Sequence, residues 1–272
     1  MMRCPQSLES IFASPPRAVE GGTWYFREVT HEVDVVDSLD RLKYMTKRWP
    51  RLYRLITLLL SPVLVNSRPE RRFLSESGEI FVNLGSGNHR VDAKVWNVDM
   101  FAYEQVDVVA DIHRLPFKDG SVDAIMSVAV LEHVADPQAV VREMFRVLKP
   151  GGLVYNLIPF MQPFHASPHD YQRYTSSGIA YLHREFEQVE VGVGGGPISG
   201  FLWVFQEAVA TLLSFGWPRL RDGIYLAVMV LTWPVKFLDL LFRDLPTATN
   251  LASSFYVLAR KPKTTKGGER AL

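Results

Sequence analysis

Short apolar runs separated by polar turns dominate the chain between about residues 79 and 160. Segments 79–84, 94–98 and 106–109 are β-favouring. Segments 122–128 and 153–158 are apolar enough for central parallel strands covered on both faces. Between those two, Val140, Val141, Met144, Phe145 and Leu148 recur at helical spacing. Asp136 is placed to cap that helix and Pro137 to occupy its first position, and Lys149-Pro150-Gly151-Gly152 stops it. Such alternation predicts an α/β fold, a doubly wound parallel sheet with its ligand site beyond the carboxyl ends of the strands.

The first strand runs directly into Gly85-Ser86-Gly87-Asn88-His89. Glycines let the main chain turn sharply and approach a ligand closely. The second strand ends in Asp99, an acid placed to accept hydrogen bonds from ribose hydroxyls. Taken alone, a single G-x-G loop is equally consistent with an ordinary strand and turn.

Composition narrows the field. At 272 residues the chain accommodates one large domain, or one domain plus an appendage. A formal net charge of +1 gives the whole molecule no nucleic-acid signature. Its one cysteine, Cys4, excludes an intramolecular disulfide and argues against a cysteine-based zinc site. His31, His89, His113 and His183 show no metal-binding spacing, so no metal is expected. Met1 to Ser14 lacks the apolar run of a secretory signal, which predicts a cytoplasmic address.

Residues 1 to 72 read as an irregular arm, with a small hairpin around Gly21-Gly22, followed by a basic and apolar helical segment. Arg41, Lys43, Lys47, Arg48, Arg51, Arg54, Arg68, Arg71 and Arg72 set nine positive charges against the single Glu70. The apolar run Leu55 to Val65 between them is shorter than the roughly 20 residues that span a bilayer. Two readings stand: a core helix with a solvated basic face, or an interfacial segment on the inner face of an anionic membrane.

Five motifs in order resemble those of class I S-adenosylmethionine-dependent methyltransferases of the "type 11" group. They are Phe81 to Asn88 (the glycine loop), Asp99, Asp111-Ile112-His113-Arg114-Leu115-Pro116-Phe117, Leu131-Glu132-His133-Val134, and Arg146 to Gly152. The resemblance covers about residues 79 to 193, with a final strand at 253–260. It implies a Rossmann-like seven-stranded sheet and S-adenosyl-L-methionine as cofactor. By the same resemblance, Asn83, Gly85, Ser86, Gly87, Asp99, Met100, Asp111, Ile112, Val128 and Glu132 are the implied cofactor contacts. Two departures stand out: Asn83 occupies a usual acid position, and His89 the third glycine position.

The stretch Phe164 to Thr175 follows the fifth strand of the core and concentrates side chains suited to chemistry. It resembles an "H-D-Y-x-R-Y-T" element of methyltransferases acting on glycans and cell-surface precursors. His169 is a candidate base supported by Asp170, with His165 and His133 as further catalytic candidates. Tyr171, Arg173 and Tyr174 are candidate acceptor contacts. The competing structural reading pairs Asp170 with Arg173 and has Thr175 cap the next helix.

The core is expected at 73–198 and 250–262, with an apolar helical insertion at 199–249 and a disordered tail at 263–272. Pro218, Pro234, Lys236 and Asp239 argue against a single clean membrane span within that insertion. Its helices either cap an acceptor pocket or dip into a membrane interface. The sequence thus predicts a methyltransferase acting on a small-molecule or lipid-linked acceptor, such as a sugar or isoprenoid-type hydroxyl. The alternative is a catalytically silent methyltransferase-like binding or scaffold protein, motivated by Asn83 and His89. No nucleic-acid partner is expected, and the sequence does not fix an oligomeric state.

Overall fold

The structure, a computed structural model, describes residues 10–28, 61–76, 78–165 and 169–263. Cys4, His31, the six basic residues from Arg41 to Arg54, most of the apolar run at 55–65 and nearly all of the predicted tail lie outside the described residues.

Five parallel strands form the centre of the sheet. They are β3 (Phe81–Leu84), β4 (Val95–Asp99), β5 (Val108–Val109), β6 (Val122–Val128) and β7 (Leu148–Pro159). Two antiparallel strands, β8 (Glu187–Gly195) and β9 (Ser254–Arg260), complete seven. A hairpin of β1 (Ala18–Glu20) and β2 (Thr23–Tyr25) adds two more, so the order is β1-β2-β5-β4-β3-β6-β7-β9-β8. The fold is the expected Rossmann-like one, with nine strands among the described residues in place of seven. The extra pair joins through Trp24↔Val108 and Tyr25↔Val109, and the buried Trp24 ring meets Phe12 and Trp96 edge-on.

Alternation along the strands sorts the core into two faces. Val82, Leu84, Val98, Ile125, Val154 and Ile158 meet Val140, Val141, Met144 and Val147 of α2 (Pro137–Val147) and Ile179 and Leu182 of α3 (Ser176–Leu182). On the other face, Phe81, Ala124, Met126, Leu153 and Tyr155 pack around Phe73 of α1 (Ser67–Glu76). The caps fall where expected: Asp136 accepts the Ala139 N–H, and Thr175 accepts the Gly178 N–H.

Winding is thinner than a doubly wound sheet implies. The connections β3–β4, β4–β5 and β5–β6 contain no helix. Residues 88–94 carry no apolar stripe for one, and a polar brace takes its place. The Arg90 guanidinium donates to the carbonyls of Val95 and Gln105 and to the Asp107 carboxylate. Asn97 donates to the His89 and Gln105 carbonyls, and Asn83 donates to Asn97 Oδ1. Asn83 therefore serves as a cross-strand tie in the position where an acid was the family expectation.

Two motifs distant in sequence form a single clamp. Arg146 donates to the carbonyls of Leu115 and Phe117 and pairs with Glu143 and Asp119. Glu143 in turn accepts the Leu115 N–H. Hydrogen bonding to Glu143, opposed by burial, holds the guanidinium pKa above its ordinary value.

Residues 197–250 hold α4 (Pro197–Leu213), α5 (Pro218–Thr232) and short helical turns. Gly196, preceding α4, has no side chain to cap it. The buried Asp239 carboxylate does so from 40 residues away, accepting the N–H groups of Ile198 and Ser199 and the Ser199 hydroxyl. A Cβ on Gly196 would meet Asp239 at 2.3 Å, so the approach requires glycine. Lys236 Nζ donates to the Ser61 carbonyl, which pins the same turn to the segment before α1. Asp239→Ala is expected to lower stability by about 1–3 kcal/mol, with Asp239→Asn intermediate, as read from urea midpoints.

His183 supplies a pH signature for the fold. It is fully buried, its Nδ1 donates to the Ile179 carbonyl and its Nε2 receives Asn156 Nδ2. Burial depresses its pKa to about 4. Between its ordinary 6.5 and about 4 the unfolded chain binds a proton that the folded chain refuses, so stability falls as pH falls through that window. The full loss is about 3 kcal/mol. His183→Gln is expected to flatten this part of the Tm–pH profile, and a slope unchanged from the parent protein would contradict the assignment.

Candidate active site

The glycine turn sits at the carboxyl edge of β3. Gly85 has φ +64° and Gly87 has φ +55°, a region that residues bearing a Cβ avoid. A Cβ on Gly85 would also meet Val130 Cγ2 at 2.4 Å, so space and backbone both require glycine there. Gly85 N–H donates to the Val98 carbonyl at 2.8 Å, which locks the turn against the neighbouring strand.

Asp99 at the tip of β4 is buried, and its carboxylate accepts Gly87 N–H at 2.8 Å and Phe101 N–H at 3.0 Å. Burial raises its pKa, and backbone donors from Phe101, Gly87 and Met100 oppose the rise. A carboxylate offers about four acceptor positions, so capacity for a ligand diol remains. Met100 and Val128 are apolar side chains left exposed at this edge, with Ile112 half-buried. Asp111 is half-exposed. Its partial burial is outweighed by hydrogen bonds from the His113 N–H and ring, which hold its pKa below the usual carboxylate range. Ser86 is buried, and its hydroxyl donates to the Gly87 carbonyl.

Ala129, next in the chain, adopts φ +54° without being glycine, a strained geometry of the kind that collects at functional sites. It leads into a single helical turn, Leu131–His133. The loop after β7 lies over that turn. Tyr171 N–H donates to the Glu132 carbonyl, and Gln172 Nε2 donates to the carbonyls of Leu131 and Val134.

This overlay brings together three predicted site residues from two segments. Glu132 is 0% exposed, and among the described residues neither carboxylate oxygen has a hydrogen-bond partner. His133 Nε2 lies 3.7 Å and His165 Nε2 3.8 Å from Glu132 Oε1. His133 Nδ1 is 2.6 Å from the His169 carbonyl, and His165 Nδ1 is 3.0 Å from the Pro163 carbonyl. The His165 ring stacks on Trp203 of α4, with centroids 5.4 Å apart, so the insertion supplies a wall of this site.

The other loop candidates are placed differently. The Asp170 carboxylate is taken up by Arg173 and by the His165 N–H, so it braces His165 and does not orient the His169 ring. Burial works against its charge, but Arg173 holds its pKa below the ordinary value. His169 is exposed, tilts against Tyr171, and contributes its carbonyl to the cluster. Tyr174 packs on the core and its N–H donates to the Pro159 carbonyl. Sequence reasoning missed Trp203, Gln172 and Pro163. None carries a local motif, and only the fold brings them to the same edge.

The residues at this edge fit the expected cofactor. A glycine turn with positive φ at Gly85 and Gly87, a buried acid with spare acceptor capacity and exposed apolar side chains suit backbone approach, a diol and an adenine plane respectively. Residues 87–156 match the family model of a methyltransferase domain. Over that stretch the chain is similar to S-adenosylmethionine-dependent methyltransferases. An uncharacterized chloroplastic methyltransferase of Arabidopsis thaliana is 37% identical to it over 92 residues, 30% of this chain and 25% of that protein. Norajmaline N-methyltransferase of Rauvolfia serpentina is 44% identical over 43 residues, 16% of this chain and 15% of that one. The matches thus span a quarter or less of these relatives' length. Among solved structures, Haemonchus contortus phosphoethanolamine N-methyltransferase 2 in complex with S-adenosyl-L-methionine is 16% identical, covering 71% of this chain and 52% of that one, with a TM-score of 0.41.

Asp99→Ala is expected to weaken S-adenosylmethionine binding about 10- to 100-fold by calorimetry, the cost of a charge-assisted hydrogen bond. Asp111→Ala, at a half-exposed carboxylate, is expected to cost less. Equal affinity of Asp99→Ala and the parent would remove Asp99 from the cofactor site.

Proposed function

We propose that this chain transfers the methyl group of S-adenosylmethionine to an oxygen of a small or lipid-linked acceptor, a sugar or isoprenoid-type hydroxyl, at a membrane surface. The observation that carries the reading is the meeting of three parts at one sheet edge: the glycine cradle with Asp99, the buried Glu132 with its two histidines, and a wall from an outwardly apolar insertion. When bound, the cofactor supplies a sulfonium-activated methyl group. The chain's own task is alignment, which for a direct displacement supplies much of the rate. The Asp170–Arg173 pair fixes the loop that presents His165, and Gln172 fixes that loop to the Glu132 turn.

Membrane attachment is supported by the outer surface of the insertion. At the tip joining α4 to α5, Leu212, Phe215 and Trp217 are 72%, 86% and 71% exposed, and Leu231 farther along α5 is 79% exposed. Single exposed apolar residues are ordinary, but three large ones at one helical tip point to an interaction surface. The 25-residue run Pro218–Phe242 is long and apolar enough to cross a membrane. Its Lys236 and Asp239, however, are turned into the protein and bonded there, which favours a helix pair lying in the interface over a spanning one. Of the basic segment, Arg68 and Arg72 belong to α1 and pair with Asp244, Glu76 and Glu190.

The test has two arms. Radiolabelled methyl from S-adenosylmethionine, offered with fractionated cell extract, is expected to enter the lipid-extractable fraction. Full-length protein is expected to co-sediment with anionic liposomes, less so with added salt, and Phe215→Ser with Trp217→Ser is expected to release it. Absence of cofactor binding by the parent protein would leave the scaffold reading in place. Label in water-soluble products together with protein wholly in the supernatant would remove the membrane acceptor.

A further inference from the structure

The Glu132 carboxylate poses a problem in electrostatics. It is fully buried and, among the described residues, neither oxygen is hydrogen-bonded, which is strongly unfavourable without a compensating positive charge. The ion-pair partners recorded for it are His133 and His165, at 3.7 and 3.8 Å. Those separations are too long for hydrogen bonds. They match two ligands of one cation: bonds of about 2.1 Å, opened between tetrahedral and somewhat wider angles, put ligand atoms about 3.4–3.8 Å apart.

The ring orientations agree. A carbonyl oxygen only accepts, so the contact of His133 Nδ1 with the His169 carbonyl places its proton on Nδ1. His165 Nδ1 lies between the Pro163 carbonyl at 3.0 Å and the donor Arg173 Nη2 at 3.3 Å, and the shorter contact favours a proton on Nδ1 there too. Each Nε2 then carries a lone pair on the side of Glu132. An imidazole whose other nitrogen donates to a backbone carbonyl is the usual arrangement of a metal-ligating histidine. The rings are also braced: they meet edge-to-face at 5.4 Å and 88°, and Trp203 backs His165. One ligand atom from each of the three residues lies within 4.8 Å of the others.

We propose that Glu132, His133 and His165 bind a single divalent first-row transition cation, such as Zn²⁺. Two imidazoles and one carboxylate suit such ions; Mg²⁺ and Ca²⁺ take oxygen ligands. Three protein ligands leave a position open for an exchangeable donor, as catalytic sites do and closed structural sites do not. The location beside the cofactor edge makes an oxygen or nitrogen of the acceptor the natural occupant, a role that rests on the methyl-transfer reading above. Cation binding itself does not rest on it.

The experiment uses full-length protein, stripped with a chelator, dialysed and titrated with Zn²⁺ and, separately, Mg²⁺ in the absence of cofactor. One equivalent of Zn²⁺ is expected to bind with a rise in Tm, with Mg²⁺ far weaker. Co²⁺ is expected to give the visible absorption of a four- or five-coordinate site. His165→Ala and the near-isosteric Glu132→Gln are each expected to weaken Zn²⁺ by roughly 100-fold or more, since even outer partners of ligands cost up to that. His113→Ala, at an exposed histidine that bonds Asp111 and is not one of the three ligands, is expected to leave Zn²⁺ affinity unchanged in the absence of cofactor. Failure of the parent to bind Zn²⁺ or Co²⁺ overturns the proposal, and so does binding that survives in both His165→Ala and Glu132→Gln. Because the readouts are metal affinity and absorption, a chain that binds cation but transfers no methyl is distinguished from one that does neither.

Discussion

Parallel strands buried on both faces leave their polar residues at one rim, and a buried polar group there needs a partner. Much of this molecule follows from how that requirement is met. Asp99 is met by the backbone of the glycine turn, which thereby acquires its shape. Asn97 and Arg90 meet the carbonyls of a connection that has no helix. Asp170 and Arg173 meet each other and hold the loop after β7. Glu132 alone among these acids is met by no hydrogen bond from the described residues, and it sits in the middle of the candidate site.

The insertion obeys the same rule at longer range. The α4 N-terminus begins with glycine and proline, which leave its first N–H groups without a local acceptor. Asp239 supplies one from the far end of the same insertion, closing the segment into a loop on the sheet. Trp203, on that helix, is thereby held against His165. The roof of the site and the floor of the insertion are thus one mechanical piece, with its apolar residues facing outward.

What could be read from the sequence was local. Strand positions, the caps at Asp136 and Thr175, the glycine turn and the acid after the second strand depend on periodicity or on residues a few positions apart, and these appear in the structure. The absence of helices after β3, β4 and β5 was also in principle visible, because residues 88–94 lack an apolar stripe; the family pattern obscured it. What could not be read depends on contacts between distant segments. Arg146 and Leu115 are 31 residues apart, Glu132 and His165 33, and Asp239 and Ser199 40. No spacing rule links such pairs, so the clamp, the histidine pair around Glu132 and the remote helix cap emerged only from the fold.

The N-terminal hairpin has a consequence for handling the protein. Strand β5 is two residues long, and one of its sides is paired only by β2. Trimming the chain to its family-like portion would strip that cover, baring main-chain donors and acceptors along with the aromatic pocket that holds Trp24. An unpaired strand beside apolar rings is a template for self-association. The small ribbon therefore acts as a hem that keeps neighbouring molecules from stitching onto the sheet.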